Sequence, residues 1–533
     1  MRKQLFIVCM VLMAVPTLYS CKKDFDKLNI DPINALGATA DKLLAPALVN
    51  SVTAGMVRNR SFTNELMQVT VSLSDGDNTV FRYAYKSSQS DYLWNNWYVQ
   101  LTNFKLVDSL ARGYGKDSSI NFSYQGIGKV CKAWVFANLT DTYGDIPYFH
   151  ALQGDSDFVH PSVTPAFDRQ KDIYLDLLNQ LEEANILLSK GDTIRVSGDP
   201  VYKGDVTKWR KFGNSLYLRL LLRISGKAEL QQQCIAKIKQ IAENPAQYPI
   251  FQSNADCARI YWNGGTSTTD PYTNPYMTQV RSQDFRAPSV CSFFLDYLVA
   301  WTDPRLTSAA PYGSGSLGLG SLGISQATGG GFYGVPSGYL PGHGDPRGAY
   351  FQSYDNTSEG SKGTTWSLQQ NQRTGIIMQY AEVQFILAEA VVKGWITGNA
   401  QTYWNQGIAS AINYWVANFN DDITKPNFID HLANLGQASE VWNDSDPLEV
   451  KMEKIHLQKY YALFCTDLQQ WFEYRRTGHP VLPKGPGLQN WGVMPARMVY
   501  PVYVQAANPT NYKNAVAIQG PDEISTQVWW QRP

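Results

Sequence analysis

The sequence predicts a mainly α protein: tetratricopeptide-like helix pairs forming a scaffold, with long irregular loops and short strands building one face. Three observations predict it. Apolar residues recur at spacings of three and four through most of the chain, the period of a helix buried along one side. Several of these stripes follow one another as pairs. Two long stretches, 244–290 and 302–375, lack any helical period and are rich in Gly, Pro, Ser, Thr and Tyr.

Taken in order, the chain begins with Arg2 and Lys3, an apolar run from Leu5 to Val15, Pro16, and then Leu18-Tyr19-Ser20-Cys21. That is the order of a secretory signal peptide. The run is too short to cross a bilayer core of ~30 Å, which takes ~20 helical residues. A cysteine directly after Leu-x-Ser resembles the bacterial lipobox, in which the thiol is acylated and the chain is cut before it. Residues 1–20 are therefore expected to be a signal peptide and Cys21 the lipid attachment. Residues 21–38 read as a polar tether, and 21–533 as one α-helical domain with the loop-rich region, about 244–375, inserted between helix pairs.

Helices are predicted over roughly Ala40–Arg58, Asp91–Arg112 and Gln125–Tyr143. A further one lies between Asp168, a candidate N-cap, and Gly191, a candidate C′ glycine. Trp209, Phe212, Leu216, Leu220 and Ile224 draw one stripe, and 228–243 follows it. The spans 379–393 and 400–418 make another pair, with Ala388 and Ala390 suited to close contact. A last stripe runs Leu457, Tyr460, Phe464, Leu468, Trp471, with Arg475 and Arg476 at the negative end of the helix dipole and Gly478 and Pro480 ending it.

Composition excludes several functions. The formal charge is zero, so no basic excess exists to grip phosphate backbones and no nucleic-acid partner is expected. Cys131, Cys234, Cys257, Cys291 and Cys465 are scattered and odd in number, which describes buried thiols rather than a disulfide framework. With six His and no His-Glu-x-x-His there is no zinc protease motif, and no metal or cofactor is expected. His343-Gly-Asp345 reads as a turn before Pro346. Gly323-Ile-Ser325-Gln-Ala327 resembles a nucleophile elbow only faintly, since that motif needs a strand, a turn and a helix.

Binding signals are stronger. The chain is 13% aromatic, with 31 Tyr and 15 Trp, against 17% charged residues, so rings with polar handles are available for recognition. The loop Asp75-Gly-Asp77-Asn78 precedes Arg82 and Tyr83, and Trp94-Asn95 opens the next helix. A sugar presents an apolar C–H face that lies on a ring and hydroxyls that bond Asn, Asp and Arg. Trp94 and Asn95 are expected to be exposed, Trp97 and Tyr98 to be core. Trp262, Tyr333 and Trp366 join the candidates as aromatics in the loop-rich region. Asp75 with Asp77 is a conceivable carboxylate pair, which keeps a glycoside hydrolase open as an alternative.

The chain resembles the SusD/RagB family of outer-membrane nutrient-binding lipoproteins of Bacteroidetes. The resemblance rests on the acylatable Cys21 followed by Asn29-x-Asp31-Pro32, on Trp94…Tyr98…Asn103, and above all on Ala133-Trp-Val-Phe-Ala137 with Asp141-x-Tyr143-Gly144-Asp145-Ile146-Pro147-Tyr148. Asp303-Pro304-Arg305-Leu306, Tyr333-Gly-Val-Pro-Ser-Gly338, Ala381-Glu382…Leu387-Ala388-Glu389-Ala390 and Lys459-Tyr-Tyr461…Trp471…Arg475-Arg476-Thr-Gly478 extend it along nearly the whole chain. It implies a lipid-anchored protein on the outer face of the outer membrane that captures an oligosaccharide or a peptide without chemistry. It also implies delivery to a TonB-dependent β-barrel transporter (SusC-like), contact with the membrane being through the N-terminal lipid only. A helical scaffold for protein partners is the remaining alternative.

Overall fold

The computed structural model describes residues 39–76, 78–113, 119–153, 164–306, 320–327, 330–355, 367–437 and 440–532. The expected signal peptide and tether, and with them Cys21, Asp77 and Trp366, lie outside the described residues. Helices α1 (Ala40–Arg58), α2 (Asp91–Leu110), α3 (Phe122–Tyr143), α4 (Gln170–Leu188), α5 (Val206–Ile224) and α6 (Gln231–Glu243) follow in order; α1 packs on α2, and each from α2 onward packs on the next. After the loop-rich region, which contains α7 (Ser292–Ala300), α8 (Tyr380–Val392) packs on α9 (Ala400–Trp415). Then come α10 (Pro426–Gln437), α11 (Leu448–Ala462), which packs on both α8 and α9, α12 (Gln469–Thr477) and α13 (Pro509–Gln519). The helix pairs expected from periodicity are all present. Glycine makes two of these approaches possible: a Cβ on Gly126 would lie 2.6 Å from Leu188, and one on Gly407 2.7 Å from the Phe385 ring.

The Asp141–Tyr148 motif is a set of fasteners. Asp141 accepts from Tyr174 Oη at 2.6 Å and Trp530 Nε1 at 2.8 Å, tying α3 to α4 and to the C-terminal segment. Gly144 ends α3 at φ 85°, a left-handed value that glycine tolerates. Asp145 Oδ1 accepts from Gln170 N at 2.8 Å and so satisfies the first amide of α4. That is the role expected of Asp168, which instead accepts from Tyr148 N and Phe149 N, both at 2.8 Å. An N-cap signal in sequence does not say which of two nearby carboxylates the folded chain brings to the helix end.

The last stripe is two helices rather than one. The chain breaks between α11 and α12, where Cys465 and Asp467 take φ of 65° and 28°. The break carries Asp467 into the core, where its carboxylate accepts from Asn138 Nδ2 at 2.9 Å and Gln469 Nε2 at 3.0 Å. Arg475 and Arg476 lie in the last turn of α12, as expected, and each also has partners in the core. Arg475 lies 3.9 Å from the Trp471 ring and donates to Asp141 O at 2.6 Å. Arg476 holds Glu389 through two bonds of 2.8 and 2.7 Å. Arg219 of α5 and Glu382 of α8 form a comparable buried pair.

Among the described residues, six short strands order the irregular region: β1 (Thr70–Val71), β2 (Ala258–Ile260), β3 (Ser289–Val290), β4 (Ile324–Ser325), β5 (Tyr350–Phe351) and β6 (Gly375–Met378). Strands β1-β3-β5-β4 form one antiparallel sheet, with Thr70 opposite Val290, Ser289 opposite Tyr350 and Ile324 opposite Phe351. Strands β2 and β6 form a second. The first sheet brings residue 70 beside residues that come more than two hundred positions later in the chain, and so sets where the loops leaving its strands can meet.

Candidate functional site

Three segments meet beside this sheet: 72–76 with 78–83, which leaves β1; 333–343, anchored where Val335 pairs in parallel with Cys291; and 483–493, which follows α12. They are joined chiefly through backbone groups. Ser337 Oγ donates to Phe81 O at 3.1 Å, Gly342 N to Asp75 Oδ1 at 2.9 Å, Gly487 N to Gly338 O at 2.6 Å, and Gln489 N to Arg82 O at 2.7 Å. Gln68 Nε2 secures the third segment at Pro483 O, 2.6 Å away. Arg82 sits in the middle. Its Nε donates to Tyr339 O and its Nη1 to Ser74 O, both at 2.9 Å, and its guanidinium lies 4.5 Å from the Phe81 ring and 4.8 Å from that of Tyr339.

Each of these hydrogen bonds has a backbone group on at least one side, and exposed side chains line the rim. Tyr333 is 44% exposed, Asp75 and His343 face solvent, and Tyr339 is half-buried. Burial raises the Tyr339 hydroxyl above its ordinary pKa while Arg82 pulls the other way. Beneath the first segment, burial pushes Glu65 up to about 6, against the hydrogen bond that Ser72 Oγ donates at 2.5 Å. The arrangement suits stacking and hydrogen bonding. His343 N donates to Leu340 O at 3.0 Å, so the His343–Asp345 stretch is the turn expected. Ser325 lies in β4 opposite Tyr350, with no turn-and-helix behind it among the described residues, and is not a nucleophile elbow.

The candidates named from sequence divide sharply. Tyr333 and Asn95 are exposed. Trp94 is not: it is 7% exposed, among Tyr98 at 4.9 Å, Tyr143 at 5.1 Å, Tyr500 at 6.0 Å and Phe167 at 6.2 Å. Arg82 is buried and bonded to carbonyls. Tyr83 is buried at φ 63°, its hydroxyl pKa pushed up by burial. Trp262 is buried just beyond β2 of the second sheet, against Gly375. These four therefore present no open ring or fork to a ligand. Asn95 accepts from Tyr503 Oη, so it belongs with the 502–507 helix rather than with the three segments. Trp97 is core, as expected, its Nε1 donating to Ser51 O at 3.2 Å, and Tyr98 is partly buried.

Tyr339 and the whole of 483–493 carry no binding pattern in the sequence. The available signals are Gly485-Pro-Gly487 and Asn490-Trp-Gly492, turn formers after a helix stop. A separate cluster, Glu389, His456 and Glu473, has ligand atoms spaced as a metal site would have them. Arg476 and Lys393 contact Glu389, while Lys459, Arg476 and Arg223 contact Glu473. The positive charge a metal would supply is thus already provided by side chains, and both carboxyls are held well below the usual range despite burial. It is an ion-pair network.

The molecule is thus a helical scaffold carrying a loop-built face, and comparison with known proteins names the family. A family model described as starch-binding and associating with the outer membrane, SusD-like, matches residues 33–501, and the chain belongs to that family. Among solved structures, a chitin-binding SusD homologue from Flavobacterium johnsoniae matches with TM-score 0.70 at 19% identity, covering 92% of this chain and 98% of that one. A SusD homologue from Bacteroides fragilis matches with TM-score 0.68 at 23% identity, covering 93% and 100%. A chitin-binding protein matches with TM-score 0.69 at 21% identity, covering 92% and 99%. These likenesses are of fold. No curated protein matches in sequence. No helix among the described residues is long and apolar enough to cross a membrane.

Proposed function

We propose that this protein captures oligosaccharides at the cell surface without chemistry and passes them to a partner TonB-dependent outer-membrane transporter. Its anchor would be an acylated Cys21, placing it on the outer face of the outer membrane, where the family is associated. The observation that carries this reading is the face itself: three distant segments stapled by backbone groups, Ser337, the Asp75 carboxylate and Arg82, with Tyr333 exposed at the rim. Such a surface is preorganised, so little ordering entropy is lost when a ligand docks. Tethering then raises the ligand's effective concentration beside the transporter. The family description and the chitin-binding neighbours support a glycan over a peptide.

Isothermal titration of the purified chain with maltoheptaose, chitohexaose, cellohexaose and xylohexaose tests it. Binding of at least one, with the sugar recovered intact after long incubation, is expected. Cleavage of a bound sugar would favour the hydrolase, and binding of none would overturn the glycan reading. Cys21→Ala is expected to move the protein from the membrane fraction to the soluble one.

A further inference from the structure

The third segment of the face displays one side chain in an unusual way. Asn490, Trp491 and Gly492 take φ of 50°, 54° and 68°, three left-handed residues in succession. Glycine accepts this region freely, whereas a bulky L-residue there is strained. The turn is nonetheless fixed. Gly492 N donates to Gln489 O at 3.0 Å, Val493 N to Asn490 O at 2.9 Å, and Asn490 Nδ2 to Val493 O at 2.8 Å. Its base is fixed too, through Gln489 N on Arg82 O and Gly487 N on Gly338 O. A Cβ on Gly487 would lie 2.2 Å from Tyr339 O, so the backbones touch only because that residue is glycine.

On this base Trp491 is 91% exposed, the most exposed large apolar side chain among the described residues. Trp97, Trp134, Trp209, Trp301, Trp404 and Trp471 are all deeply buried, as a large indole ordinarily is. Position 491 therefore gives the fold neither burial nor relaxed backbone. Strain kept where packing does not need it is characteristic of functional positions. Gln489, two residues before it in the turn, and Lys484, whose Cδ lies 3.9 Å from where a Cβ on Gly492 would stand, are exposed as well, and the segment it rises from is bonded to the one that carries Tyr339 and Tyr333.

We propose that Trp491 is the aromatic platform of this face, its indole stacking on the apolar C–H side of a pyranose ring while Gln489 bonds the hydroxyls. The inference rests on the glycan reading above and adds the residue and the ring-face contact. A saccharide is the occupant because the open indole rises from a preorganised turn whose exposed Lys484 and Gln489 are polar, an apolar ring with hydrogen-bonding groups in the same segment to match the C–H face and hydroxyls that a sugar presents.

The test is titration of wild type, Trp491→Ala, Trp491→Phe and Trp491→Gly with whichever of the four named hexa- and heptasaccharides the wild type binds. Trp491→Ala is expected to weaken binding about tenfold or more, and Trp491→Phe to keep most of the affinity, since a ring remains. Trp491→Gly should weaken binding equally while its Tm stays level or rises, because glycine relaxes the left-handed backbone. Wild-type affinity in Trp491→Ala overturns the platform and leaves the glycan reading standing. Equal loss in Trp491→Phe and Trp491→Ala also overturns it. A wild type that binds none of the four overturns both.

Discussion

Arg82 and Tyr339 are joined twice: Arg82 Nε donates to the Tyr339 carbonyl at 2.9 Å, and the guanidinium lies 4.8 Å from the Tyr339 ring. Two of the three segments of the face thus depend on one buried cation. A lysine could not replace it, because a single ammonium lacks the planar fork that serves Tyr339 O and Ser74 O together. Arg82→Ala and Arg82→Lys are both expected to open 72–76 and 338–343 to protease and to weaken ligand binding without touching the ligand. Each lost bond to a charged donor is worth about 1.5–3 kcal/mol. Unchanged digestion patterns in both variants would refute the staple.

Trp94 and Tyr333 should part company under alanine substitution. Trp94 is packed among four rings, so Trp94→Ala is expected to lower stability by about 3–5 kcal/mol. Tyr333 is 44% exposed, so Tyr333→Ala should cost less stability than Trp94→Ala while lowering saccharide affinity. Urea denaturation and titration calorimetry on the two variants separate the effects.

The pair Arg219–Glu382 links the first run of helices to the second, through two bonds of 2.6 Å. Glu382→Gln leaves a buried guanidinium without its counter-charge and is expected to cost about 3–5 kcal/mol. The double variant Arg219→Met, Glu382→Leu should recover most of that loss, because neither charge is then buried alone. The urea midpoint, at constant slope, reads both.

His479 stands between two acids, with Glu453 2.6 Å from Nδ1 and Glu449 3.3 Å from Nε2. The hydrogen bond to Glu453, more than any other influence, raises its pKa above the ordinary histidine value. The folded protein therefore holds this proton more tightly than the unfolded chain. The resulting stabilisation is complete below the unfolded pKa of about 6.5 and is lost as pH rises through the folded value. Tm is expected to fall between pH 6 and pH 9 by more in wild type than in Glu453→Gln. Equal falls in the two proteins would show that the pair contributes nothing.

The helical frame was legible in the sequence because helix periodicity is local. A stripe such as Trp209 to Ile224 needs only its own spacing to declare a buried side, and α5 lies where that stripe placed it. The family motif was legible for the same reason: Asp141–Tyr148 is contiguous, and Gly144 turns the chain as its position implied. The amphipathic pairs and the family followed from such local marks.

What the sequence alone could not decide is which aromatic and charged side chains stay open to water. Trp94 is covered by Phe167 and Tyr500, Arg82 is claimed by the carbonyl of Tyr339, and Trp262 lies against Gly375, all from distant parts of the chain. Exposure is a property of what packs over a residue, and that depends on contacts between remote segments. By itself, then, the sequence determined the α-helical frame, the family and the lipid-anchor expectation at Cys21. Only the tertiary structure assembled 72–76 with 78–83, 333–343 and 483–493 into one face, because hydrogen bonds between segments hundreds of residues apart leave no periodic trace.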